Sequence, residues 1–208
     1  MKPLVFAIVF GLIGSPGKII DFDSASVGKM PPGWVAAVTN GGPQPKWEVR
    51  RDTSAPTQPY VFAQVSKDPA NHYPLAILDT MAVRNGDISV RVKPLEGHSE
   101  QTGGVVFRYR DPNNYYVARA NALDHMVGIF KVQNGQSVPL AAGVPHDIPA
   151  GAWSILKVSV RGNRFQVYVN HRRILQAQDT TFGQSGKVGL WTKGDASTYF
   201  DDFRVYPK

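Results

Sequence analysis

Along most of the chain, apolar and polar residues alternate with period two, and each alternating stretch breaks at Gly, Asn or Pro. Such a pattern predicts short antiparallel strands, buried on one face and wet on the other, joined by turns. Ile88, Val90 and Val92 interleave with Ser89, Arg91 and Lys93, and Leu156, Val158 and Val160 with Lys157, Ser159 and Arg161. Phe165, Val167 and Val169 follow after Gly162 and Asn163, a pair that predicts a hairpin turn. Further strands are expected near Ile19 to Phe22, Trp34 to Thr39, Lys46 to Arg51, Tyr60 to Val65, Gly103 to Tyr109, Tyr115 to Asn121, Met126 to Val132 and Gly135 to Leu140. The stretch from Gly186 to Tyr206 adds a Gly-punctuated strand ending in Trp191 and a last strand carrying Asp201 and Asp202. No helical amphipathic window of useful length interrupts them.

Strands at a spacing of roughly eight to twelve residues favour an all-β antiparallel jelly-roll β-sandwich over a parallel α/β fold. The absence of internal repeats argues against a propeller or solenoid. The segments Pro31 to Gly33, Gly41 to Pro45 and Pro56 to Pro59 read as surface loops at one end of the sandwich. A length of 208 residues fits one such domain, assigned to residues 18–208.

Residues 1–17 stand apart. Lys2, the apolar run Leu4 to Ile13 and the small residues Ser15, Pro16 and Gly17 form the pattern of a secretory signal cleaved after Gly17. The apolar run is short of the ~20 residues that span a bilayer; a retained N-terminal anchor is the alternative reading. The chain has no cysteine, so an exported domain would rely on core burial, or on burial plus a metal, and the expected setting is periplasmic or secreted. The formal charge of +7 is spread over many segments, its longest cluster being Arg172 and Arg173 beside His171. Solubility accounts for such scattering. Attraction of acidic glycans is the functional alternative, and the export signal disfavours nucleic acid.

The block Gly103 to Asn121, GGVVFRYRDPNNYYVARAN, combines Gly-Gly, Arg108, an Asp-Pro-Asn-Asn turn, a Tyr-Tyr pair and Arg-Ala-Asn. Together with Trp34 after Pro-Pro-Gly, Trp47-Glu48-Val49, Asp52 to Pro56, Trp153 and the C-terminal block, it resembles concanavalin A-like and laminin-G-like jelly rolls. It is similar as well to periplasmic 3-keto-glycoside hydrolase-like sandwich proteins. The resemblance implies a jelly roll of the lectin and glucanase type and a glycan or glycoside as partner. Leu123, Asp124, His125 and Met126 depart from the family pattern after Arg-Ala-Asn, which bears on ligand identity.

Alternation places Val106, Arg108 and Arg110 on one face, and Tyr115, Val117, Arg119 and Asn121 on one face of the next strand. Arg108 and Arg119 are therefore expected near each other, where guanidinium groups can fork onto hydroxyl pairs or carboxylates. The alternative is that both are solvated or ion-paired and that the tyrosines only pack. Of the four tryptophans, Trp47 and Trp153 are expected in the core, and Trp191, next to Lys193 and Asp195, is the candidate cleft wall. The candidate ligand set is Arg108, Tyr115, Arg119, Asn121, Trp191, Lys193 and Asp195.

Catalytic motifs are sparse. Glu48, Glu96 and Glu100 are the only glutamates, and none forms the Glu-x-Asp-x-x-Glu strand of retaining glucanases. Glu96 and Glu100 flank His98 in PLEGHSEQTGG, a polar connection that reads as a solvated loop. No nucleophile elbow, zinc helix or phosphate loop is present. The fitting function is a lectin-like glycan-binding module, with a glycoside hydrolase of the 3-keto-glycoside type and a structural or interaction module of the envelope as alternatives. If the first and last strands are neighbours, Asp21, Asp23, Asp201 and Asp202 form a candidate site for a structural Ca2+; the alternative is that they accept hydrogen bonds from backbone, Lys or Arg.

Overall fold

A computed structural model describes residues 17–208; the expected signal, residues 1–17, lies outside it except for Gly17. The first eight strands are β1 (Lys18–Ile20), β2 (Trp34–Thr39), β3 (Trp47–Arg51), β4 (Tyr60–Gln64), β5 (Tyr73–Val83), β6 (Gly86–Glu96), β7 (Thr102–Asp111) and β8 (Asn114–Asn121). They continue as β9 (Met126–Gln133), β10 (Gln136–Pro139), β11 (Val144–Pro145), β12 (Ser154–Arg161), β13 (Arg164–Val169), β14 (Arg172–Gln178), β15 (Gly186–Trp191) and β16 (Ser197–Pro207).

They form two eight-stranded antiparallel sheets stacked as a jelly-roll sandwich. One runs β14-β13-β12-β6-β16-β4-β3, with β1 beside β16; the other runs β10-β9-β8-β7-β15-β5-β2, with β11 beside β9. Apolar residues from both inner faces meet between them, with Ile88, Val90 and Val92 from one sheet against Val105, Phe107 and Ala118 from the other. The alternation of β6 and β12 is observed as expected, with Leu156 paired to Val90 and Val158 to Ile88. Arg161 pairs with Arg164 across the Gly162-Asn163 turn, where Gly162 has a φ of +58°.

Strands β5, β11 and β14 lie outside the expected set, and of these β5 escapes alternation. In β5, Pro74 to Leu78 are all buried, because Ala76 and Leu78 face the sandwich core while Leu75 and Ile77 join a second apolar cluster on the outer face. A strand covered on both faces has no polar phase to reveal it. The short β14 begins with exposed arginines and pairs with β13 across a two-residue turn in which Asn170 and His171 both have positive φ.

Trp34 and Trp47 pack in the core around Phe62. Trp153 corrects the expectation of core burial. It is half-buried just before β12, donates its indole N–H to Ser54, and lies with Lys93 over its ring at 5.2 Å.

Candidate functional site

The outer face of the second sheet is unusually apolar, with Leu75, Ile77, Val106, Tyr115, Val117, Val132 and Trp191 buried there under the partly exposed rings of Tyr73, Tyr109 and Phe130. Register explains where this face opens. One row across the strands reads Leu75, Trp191, Gly104, Arg119 and Gly128. Arg119 thus stands between two glycines, and a methyl group at Gly104 would come within 3.2 Å of the Trp191 ring, while one at Gly128 would meet Phe130 at 2.6 Å. Absent side chains leave a depression of about 90 Å3 lined by Tyr73, Val117, Arg119, Phe130, Trp191 and Lys193. A wider groove of about 550 Å3, also bordered by Arg119 and Phe130, continues along β9 past Met126 to Leu140.

Two walls of the depression, Lys193 and Arg119, are tied together by Glu100, a residue read from sequence as part of a solvated loop. It is only 8% exposed. One carboxylate oxygen accepts the Lys193 ammonium at 2.5 Å; the other accepts the Asn121 amide at 2.9 Å and lies 3.6 Å from Arg119. Arg119 also reaches Asp124 at 3.4 Å, and its Cζ sits 5.0 Å over the Phe130 ring. Its buried Nε–H has no partner among the described residues.

Glu100 is held there by Asp195. The Asp195 carboxylate accepts the Ser99 hydroxyl at 2.6 Å and the backbone N–H groups of His98, Ser99 and Glu100. The Ser99 hydroxyl first, opposed by slight burial and then joined by these amides, holds Asp195 well below the usual carboxylate range. Asp195 is therefore a positioning residue for the Glu100 loop, not a rim contact. Glu96, by contrast, is solvated as expected and pairs with Lys67 at 3.5 Å.

Three other expectations change. Arg108 does not join Arg119. The pairing of β7 with β8 shifts between Phe107 and Asp111, Arg108 takes a φ of +49°, and its side chain turns to the end of the core. There its guanidinium donates to the carbonyls of Arg84, Phe182 and Gly162, with the Phe165 ring 5.5 Å away. Burial lowers its pKa, and no carboxylate pairs with it among the described residues. The bulge, invisible to strict alternation, is what separates the two arginines.

Tyr115 and Trp191 lie on the expected face but beneath its surface. The Trp191 indole donates to the Tyr115 hydroxyl at 3.2 Å, and that hydroxyl meets Thr39 Oγ1 at 2.8 Å. Burial raises the Tyr115 pKa and keeps the phenol protonated. These two rings form the floor, and the aromatic surface left for a ligand belongs to Tyr73 and Phe130. Of the expected set, Arg119, Asn121, Trp191 and Lys193 are brought together, and Glu100, Tyr73 and Phe130 complete them.

The four aspartates are engaged in hydrogen bonds. β1 pairs with β16 as expected. However, Asp201 accepts the amides of Thr57 and Asp202, Asp202 accepts Thr57 Oγ1 and Arg91, and Asp23 accepts the Tyr60 amide. Asp21 accepts only the Asp23 amide. Burial, against those amides and with the neighbouring Asp202 and Asp23 carboxylates, pushes Asp201 up to about 7. No group of three or more His, Cys, Asp or Glu is arranged to hold a metal among the described residues. The hydrogen-bond alternative describes these residues.

The antiparallel jelly-roll fold is one that solved carbohydrate-binding and glucanase domains share. The chain belongs to the family described as the 3-keto-alpha-glucoside-1,2-lyase-like domain, whose model matches residues 21–206. It is 29% identical over 119 residues to a levanase of Bacillus subtilis, covering 56% of this chain and only 16% of that protein. Among solved structures it is similar to the carbohydrate-binding module CBM66 of Bacillus subtilis, with a TM-score of 0.64, 22% identity, and coverage of 83% of this chain and 94% of that one. It is likewise similar to a Bacillus licheniformis β-glucanase, with a TM-score of 0.62, 12% identity, and coverage of 92% and 98%.

Proposed function

We propose that the chain is an exported glycan-binding module whose ligand sits in the depression between Lys193, Glu100, Arg119, Tyr73 and Phe130. The observation that carries this reading is the buried carboxylate of Glu100, which holds the Lys193 ammonium and the Arg119 guanidinium, two walls of an aromatic-lined hollow. Adjacent sugar hydroxyls need an acceptor and a donor side by side, and Glu100 flanked by Lys193 and Arg119 supplies both. The apolar C–H face of a sugar ring can lie on Tyr73 or Phe130. Charges in the site balance, Lys193 and Arg119 against Glu100 and Asp124, which favours a neutral glycan. The N-terminal signal pattern and the lack of cysteine support a periplasmic or secreted setting.

Isothermal titration with levan, arabino-oligosaccharides and β-glucan tests the reading, levan first because the sequence relative is named a levanase. Saturable binding to at least one of them that is lost in Arg119→Ala is expected; binding that survives that substitution places the site elsewhere. The family match favours one second reading, hydrolysis or elimination on a 3-keto glycoside. Glu100 and Asp124 on either side of Arg119 are the carboxylates it would use. Turnover of 3-keto glycosides that disappears in Glu100→Gln would select it.

A further inference from the structure

The opposite outer face, that of the first sheet, carries a second hollow. Its volume is about 190 Å3 and its walls include Ser89, Arg91, Lys157, His171, Asp202 and Arg204. Register builds it: Arg204 pairs with Ser89 and Ser89 with Lys157, so two cations flank a small hydroxyl across three neighbouring strands. Arg91 follows two positions along the same face of β6, and His171 closes the end from the turn between β13 and β14.

Asp202 forms the floor. It is 6% exposed and takes one oxygen to both Arg91 Nε at 3.0 Å and Arg204 at 3.2 Å. This orients the two guanidinium groups, and both side chains line the hollow. Lys157 has no carboxylate partner among the described residues; its ammonium lies 4.1 Å over the Tyr168 ring, which fixes its position without neutralising it. With histidine neutral, three cations face one carboxylate. The hollow is therefore positive, unlike the balanced depression on the other sheet.

We propose that this hollow is a separate binding site for an oxyanionic group, a sulfate, phosphate or sugar carboxylate. Planar guanidinium groups held side by side match the oxygens of such groups, a lysine adds a point charge, and the Ser89 hydroxyl can donate a neutral hydrogen bond. The site does not depend on how the other face is used.

The test is an amide chemical-shift titration of the full domain with sulfate, phosphate and glucuronate, each against sodium chloride at matched ionic strength. Saturable shifts centred on Ser89, Lys157 and Arg204, and not on the amides of β8 and β15, are expected for at least one anion. The anion bound most tightly distinguishes an inorganic source from an acidic sugar. The double variant Lys157→Gln/Arg204→Gln, at two half-buried positions, should weaken binding at least tenfold. Asp202→Asn removes the competing charge while keeping a residue type that tolerates the positive φ of +50° found there, and should tighten binding severalfold. Linear, unsaturable shifts with all three anions, or affinity unchanged in the double variant, would overturn the proposal whether or not Asp202→Asn folds.

Discussion

Arg108 and Arg119 lie on adjacent strands, eleven positions apart in a block where sequence pattern pairs them, yet they occupy opposite kinds of site. Arg108 is 2% exposed, and backbone carbonyls take up its donors. Arg119 faces a hollow, contacts two carboxylates at 3.4 and 3.6 Å, and keeps an N–H unpartnered. A charge whose hydrogen bonds are all closed by main chain is a brace. A charge held among other charges beside open volume retains capacity for a ligand, and the contrast predicts that one arginine governs stability and the other binding.

Breaking the brace should have the largest effect. Arg108→Met takes the donor from the carbonyls of Arg84, Gly162 and the buried Phe182 and should cost about 2 to 3 kcal/mol, a fall in Tm of roughly 5 to 10 °C by calorimetry. A drop below ~3 °C would show that the carbonyls find water instead. Glu100→Gln should do the reverse, weakening glycan affinity by about tenfold or more while shifting Tm little, because Lys193 and Arg119 remain partly exposed. Asp195→Ala should be intermediate, since freeing the His98 to Glu100 amides loosens the loop that presents Glu100. A loss of a fewfold in affinity, with kinetics showing slower association, is the expected result.

pH adds a smaller, signed effect from a third buried charge. Asp201 is raised to about 7 in the fold, against about 4 in an unfolded chain. Between those values the unfolded state loses its proton first, so the contribution of Asp201 to stability falls as pH rises from about 4 to about 7 and then levels off. Thermal melts across that window should show this slope, flattened in Asp201→Asn. Chelation should do least: with the oxygens of Asp201 and Asp202 committed to N–H and O–H donors, EDTA is expected to leave Tm unchanged. A fall reversed by calcium would restore the metal reading.

The same contrast shows what could be read from the chain alone. Regular alternation located β6, β12 and β13, because one wet face leaves a polar phase in the sequence. β5 lacked that phase, being covered on both sides. The outer face of β8 was also readable, since Tyr115, Val117, Arg119 and Asn121 do share it. Arg108 was misplaced because a bulge with positive φ reverses its side, and nothing in a period-two pattern marks a bulge. Glu100 was overlooked for another reason: its burial depends on Asp195, ninety-five residues later, capping its loop through side-chain contacts.

The arrangement of the first sheet bears on how the molecule can be made. Strands β14, β13, β12 and β6 lie on one side of β16, and β4 and β3 on the other, so Ser197–Pro207 is the single strand that joins the two halves. A ribosome must therefore have passed Pro207 before that sheet can close, and its pairings reach back more than a hundred residues to β6 and β4. High contact order of this kind makes folding slow. Until the strand arrives, β6 and β4 present open edges able to recruit another chain. A nascent or truncated form ending before Ser197 would accordingly be a substrate for chaperones, whatever the finished domain binds.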